Sequence, residues 1–284
     1  MIRFLLPGLA ALLLSCSLAA QSPWARSKAG FYAQAGFYYI PTYGTLFGAG
    51  GEDIVLDHEV SERQIQLYGE YGVTKKTTLI VSLPVVFNER GASNPASPYM
   101  FAVEDSGSIS GLGNSTIALR HQFLSGEFAL AGALKVGLPA GTSYKPATDL
   151  STGYDAITIQ PMISIGKGFQ KSYGFLYGSY GYRSNDYSHF LNFGAEGGFH
   201  LGKIWLVGFS ELVYSLENGE RKLATLDALT GLYANDQGWL SIGVKAIWEI
   251  NRFVGLSVSG AGAAWAQNVP KSPGLGVAAY FKWE

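Results

Sequence analysis

Cysteine occurs once in the 284 residues, as Cys16, so no internal disulfide can form and a disulfide-stapled scaffold is excluded. Charge is also scarce. Only 14% of residues are charged, 20 basic and 21 acidic, against roughly 25% in soluble domains. That near-balance removes nucleic acid as the main partner. No run of eighteen apolar residues follows residue 20, so no transmembrane helix is expected. Glycine and aromatics are abundant instead, with 37 Gly, 17 Tyr, 16 Phe and 6 Trp spread evenly along the chain. Such a composition excludes disorder and offers no break at which to divide the chain into domains.

The first twenty residues, MIRFLLPGLAALLLSCSLAA, carry Arg3, an apolar run from Phe4 to Leu14 and small residues at the end. They read as a cleaved secretory signal peptide, 1–20. Cutting after Ala20 would make Gln21 the first residue, and Ala19 is a second candidate site. Leu13, Leu14, Ser15 and Cys16 loosely match a lipoprotein box, which leaves lipidation of Cys16 as an alternative.

Beyond the signal, segments of about ten to fourteen residues alternate in polarity, the period of a strand. In GNSTIALRHQF, residues 113–123, Ile117, Leu119 and Phe123 oppose Asn114, Thr116, Arg120 and Gln122. WLSIGVKAIWEI, residues 239–250, sets Leu240, Ile242, Val244, Ala246, Trp248 and Ile250 against Ser241, Gly243, Lys245 and Glu249. Soluble strands average five or six residues, whereas crossing a bilayer at a tilt takes about nine to eleven. The fold class expected is therefore all-β, an antiparallel transmembrane β-barrel. Twelve strands are predicted, at 30–40, 63–73, 77–88, 112–123, 127–138, 154–166, 171–183, 188–200, 204–216, 238–250, 253–265 and 274–283. Residues 224–234 could add a strand and, with a second missed one, make fourteen. Short turns alternate with mostly longer outer loops at 41–62, 89–111, 139–153, 184–187, 217–237 and 266–273.

An even strand number puts both ends on one rim, which in an outer-membrane barrel with short periplasmic turns is the periplasmic side. Residues 21–29 are then a short N-terminal periplasmic segment and 30–284 a single outer-membrane barrel domain. That segment is too short for a separate plug domain, although an inward-folded outer loop remains open. Tyr38, Tyr39, Tyr43, Trp205, Trp239, Trp248, Trp265, Tyr280 and Trp283 are candidates for the interfacial aromatic belts. Leu275, Val277, Ala279, Phe281 and Trp283 give the last strand an apolar outward parity. Strand, turn and terminal pattern together make outer-membrane lipid, lipopolysaccharide and the barrel-assembly machinery the expected partners.

The inward parity collects Glu70, Arg120, Lys135, Glu196, Glu211 and Lys245, with Gln64, Gln66, Asn114, Gln122, Gln160 and Asn192 around them. Three acids and three bases make either a selective constriction or a network neutralising charge inside a filled barrel. Glu52, Asp53, Asp57, Glu59 and Glu62 form the densest acidic run, but their spacing is not that of a calcium loop, and no metal site is expected. GAGGED and SGLGN lack the spacing of phosphate-binding loops, and no cofactor is expected. Catalysis is not expected either. The histidines His58, His121, His189 and His200 are scattered, and Ser115 lies about 20 Å along a strand from His121.

Two stretches resemble known families. Residues 24–47, from WARSKAGFYAQAGFYY to TLF, and QLYGEYGVTKKTTLIVSLPVVF at 66–87 resemble exported barrels of Gram-negative bacteria. GLGNSTIALRHQF at 111–123 and LKVGLPAG at 134–141 resemble the outer-membrane family associated with meta-pathway phenol degradation. The first stretch is also similar to XagA-type proteins linked to surface polysaccharide and adhesion. The resemblance implies passive passage of small, hydrophobic or aromatic molecules across the outer membrane. The alternative it carries is a closed structural or surface-associated barrel assisting adhesion or polysaccharide export.

Overall fold

The computed structural model describes residues 21–97, 106–139, 150–224 and 229–284. The expected signal peptide, with Cys16, lies outside them. The wall is built from β1 (Phe31–Phe47), β2 (Asp53–Gly72), β3 (Thr77–Ser93), β4 (Gly107–Leu112), β5 (Thr116–Ser125), β6 (Ala129–Gly137), β7 (Thr158–Gly168), β8 (Ser172–Arg183), β9 (Phe190–Leu201), β10 (Ile204–Ser215), β11 (Gly238–Glu249), β12 (Val254–Gln267), β13 (Val269–Pro270) and β14 (Gly274–Trp283). Every pairing is antiparallel, successive wall strands are neighbours, and β1 pairs with both β2 and β14, which closes the cylinder. β4 and β5 lie end to end on β3, through Val85–Arg90 and Thr77–Ser82, and act as one interrupted wall strand. The two-residue β13 only rejoins β1 beyond β14. Counted around the wall, the barrel has twelve strands, as expected.

The strand period decides which side chains meet which solvent. On β11, Val244 is 69% exposed and its neighbour Lys245 only 4%. The same inversion holds for Leu119 beside Arg120 and for Phe281 beside Lys282. Apolar groups outside and charges inside suit a wall bounded by hydrocarbon. The outward face carries Ile65, Leu67, Leu83, Ile163, Leu176, Leu206, Ile242 and Val277, all exposed. At its upper edge Arg63 and Glu89 sit 3.7 Å apart with Arg63 over the Tyr39 ring, so charge returns where the apolar band ends.

Several expectations need correction. Of the nine belt candidates, Tyr43, Trp205 and Tyr280 are buried and Tyr38 lines the lumen, while Trp248, Trp265 and Trp283 face out. Parity, which alternates along a strand, overrode residue type: Tyr280 falls between the outward Ala279 and Phe281. The outer loop expected at 41–62 is mostly strand. β1 and β2 run on as a hairpin past the apolar band, through bulges at Ile40/Tyr43 and Tyr43/Thr45, to a tip at Ala49–Gly51. What holds this extension is an inner face of Tyr43, Leu46, Leu56 and Val60 packed on Leu229 and Leu232. The extra strand considered at 224–234 includes 225–228, outside the described residues; from Leu229 to Gln237 the chain is loop. Similarly β3 and β4 continue 89–111 as paired wall at both of its ends.

Candidate functional site

Three short pieces of chain enter the barrel, one at the short-turn rim and two at the long-loop rim. From the short-turn rim, residues 21–26 run into the lumen. The Ala25 N–H donates to Gln122 Oε1 at 3.0 Å and the Arg26 N–H to Thr78 Oγ1 at 2.9 Å. Trp24 crosses to the opposite wall, its ring edge-on to Tyr173 and Phe175 at 6.2 and 6.0 Å. The residues expected as a short segment between signal and barrel therefore lie against the inward face. Gly72 marks how closely they pass. A β-carbon there would stand 1.8 Å from the Ser27 carbonyl oxygen.

From the long-loop rim, residues 150–156 and 229–237 fold inward. Asn114, at the break between β4 and β5, clasps the first of these: its amide donates to the Tyr154 and Leu138 carbonyls and its oxygen accepts from the Tyr154 N–H. The second is held by the Tyr43 hydroxyl donating to Thr230 O at 2.7 Å and by the Tyr233 hydroxyl donating to Glu62 Oε2 at 2.8 Å. Tyr154 stands edge-on to both Tyr187 and Tyr233 and donates to Gln237 Oε1, joining the two pieces into one cap.

Between plug and cap lie the six inward candidates, sorted by the structure into three groups. Glu70 and Arg120 meet at 3.6 Å, and Arg26 completes the set with Nε 2.6 Å from Glu70 Oε2. The Tyr68 hydroxyl donates to the other Glu70 oxygen, and Arg120 donates to Ser22 Oγ at 3.1 Å. Lys245 and Glu196 pair at 3.2 Å, with the Tyr173 hydroxyl also donating to Glu196. Glu211 accepts from Asn192 at 3.0 Å and Tyr177 at 3.3 Å, and it is the carboxylate that acts electrostatically on half-buried Lys135. Of the surrounding polar set, Gln66 bonds Ser82 and Gln160 bonds Ser179.

A fourth group was not among the candidates. Lys282 and His200 both meet Glu249, at 3.2 and 3.1 Å, and the His200 ring stacks on Trp205. Parity gives Lys282 away, since its neighbours Phe281 and Trp283 point out. Arg26 carries no such signal, because it precedes the first strand. Among the described residues a cavity of about 300 Å³ is lined in part by Tyr38, Glu62, Gln64, Glu211, Lys245 and Phe209. Amides, hydroxyls, two carboxylates and one ammonium beside aromatic rings can hold a small molecule by its polar edge and its ring face together.

The acidic run of the hairpin is dispersed. Asp53 pairs with Lys271 at 2.6 Å, Asp57 is buried beside Ser97 and Glu62 belongs to the cap. Among the described residues no three His, Cys, Asp or Glu side chains gather as a metal site.

No family model and no curated protein sequence matches the chain. Solved structures do. The COG4313 outer membrane channel from Pseudomonas putida F1 superposes with a TM-score of 0.68 over 92% of this chain and 97% of that one, at 17% identity. The NanC porin reaches 0.51 over 89% of this chain and all of its own, at 6% identity. The fold is that of an outer-membrane barrel. At such low identity the likeness speaks for architecture, and the lumen side chains must be judged on their own geometry.

Proposed function

We propose that the chain is an outer-membrane barrel for passage of small molecules, with residues 21–26 as a gate inside its lumen. The observation that carries this reading is a lumen holding a cavity of about 300 Å³, with six residues and not a folded domain lodged in its short-turn end. That segment is held by one ion-pair cluster, two backbone hydrogen bonds and one tryptophan, few enough contacts for it to move without unfolding the wall. The short-turn rim, with both termini, faces the periplasm, and the outward parity of β14 is the surface offered to the assembly machinery. Lipid and lipopolysaccharide surround the wall. Neighbours whose own names describe a channel and a porin support passage of solute. The finer reading, hydrophobic or aromatic cargo, follows from the resemblance to the phenol-degradation family together with Tyr38 and Phe209 in the cavity wall.

A second reading has its own support, since plug and cap together fill both mouths: a closed barrel whose long hairpin serves adhesion or polysaccharide export. Planar-bilayer conductance separates the two. Wild-type protein should show small, intermittent openings. Gly72→Ala, which drives a methyl into the path of residues 26–27, and deletion of residues 21–26 should each raise conductance several-fold. Silence from all three proteins would favour the closed barrel.

A further inference from the structure

The cap contains a second cavity, of about 250 Å³, separate from the lumen chamber and lined in part by Asp155, Tyr187, Arg221, Lys222, Leu232 and Tyr233. Its size is below the roughly 300–1,000 Å³ of drug-sized sites, which suits one ring and one polar group. Most of the polar groups around it are already committed. Ser151 bonds Gly153, Tyr233 bonds Glu62, and Asn235 bonds Arg221 O and the Ser188 N–H.

The Arg221 guanidinium is not so committed. It lies 4.4 Å over the Tyr187 ring, and among the described residues no carboxylate is within ion-pair range of it. Stacking occupies the face of a guanidinium and leaves its N–H edge free to take a planar acid by two parallel bonds. Lys222 adds a second positive charge to the lining, against the single acid Asp155. Leu223, Ala224, Leu232 and Ala234 supply the apolar part of the lining.

We propose that this cap cavity is a capture site for a single-ring aromatic carboxylate, bound by Arg221 and seated on the apolar wall. It deepens the transport reading, on which its biological sense rests, by naming the solute class taken at the long-loop mouth before the lumen is entered. Binding, however, is measured independently of transport. Purified full-length barrel in detergent is titrated calorimetrically with benzoate, benzyl alcohol and benzylamine, three ligands alike in ring and different in charge. Benzoate should bind at least tenfold tighter than either of the others. Arg221→Gln should weaken benzoate by tenfold or more, and Arg221→Lys should restore part of the loss. Heat-modifiable gel mobility verifies that each variant is a closed barrel. Equal affinity for the three ligands on wild-type protein, or unchanged benzoate binding in Arg221→Gln, would overturn the site. Conductance without benzoate binding would refute this site and leave the transport reading standing; benzoate binding without conductance would do the reverse.

Discussion

Glu70 is where a single atom change reaches furthest, because one buried carboxylate faces Arg26, Arg120 and the Tyr68 hydroxyl. Removing one partner of a buried pair leaves the other charge uncompensated, at about 3–5 kcal/mol. Glu70→Gln should therefore lower the urea midpoint of the refolded barrel and release residues 21–26, visible as increased protease cleavage at Arg26. Exposed pairs behave otherwise. Lys271 and Asp53 are 45% and 44% exposed, so Lys271→Ala should shift stability by less than about 1 kcal/mol in the same titration. The loop tyrosines give a pH signature. Burial first, with Glu62 beside Tyr233, raises the Tyr233 phenol well above its ordinary value, and burial raises Tyr187 as well. A phenol held neutral in the fold costs nothing below its unfolded pKa of about 10, and its ionisation opposes the fold above that. Cap stability should thus be flat with respect to these groups through neutral pH and fall as pH rises past about 10. Ultraviolet titration at native and denaturing conditions checks it; two phenols ionising at about 10 in the folded barrel would contradict the burial described.

Strands were the most legible elements, since a period of two survives in any segment whose two faces meet different solvents. The segment at 204–216 became Ile204–Ser215 and that at 274–283 became Gly274–Trp283. Legibility ended where the wall leaves hydrocarbon. Beyond Tyr39 the β1–β2 hairpin has water outside and a folded loop inside, its register broken by two bulges, and Pro41, Gly44 and Gly48 give it the look of a loop. The inward set was equally readable as parity, which put Glu70, Arg120, Glu196 and Lys245 on the lumen side. Who meets whom was not, because Lys245 and Glu196 stand 49 residues apart in sequence and come together only once β9 and β11 both pair with β10. At this scale the cap makes a prediction: Tyr233→Phe removes its bond to Glu62 and should increase hydrogen exchange in 229–237 while leaving β5 to β9 protected.

As a whole molecule the barrel divides its aromatics between its two faces. Tyr32, Tyr68, Tyr173, Phe175, Tyr177 and Trp205 form an internal cluster around Trp24, while Phe37, Phe193, Trp248 and Phe281 share the outward face with aliphatic side chains. Composition alone could not divide 39 aromatic residues between the two surfaces. Position in the strand did. The low charge fraction has the same origin, for the outward half of each strand has no use for it and the inward half accepts only groups that can be paired.

The leading end of the chain has one more consequence, for the order of assembly. Ala25 and Arg26 bond to β3 and β5, and Arg26 to β2, whereas Trp24 rests on β8 across the lumen. Those walls face each other only after β14 has joined β1, so the first residues to emerge complete their native contacts last. Refolding from urea should then show two separable events, barrel closure by gel mobility followed by a slower change in Trp24 emission. In Glu70→Gln the first should proceed while the second fades, making occupancy of the lumen a maturation step that follows closure and can be slowed without preventing it.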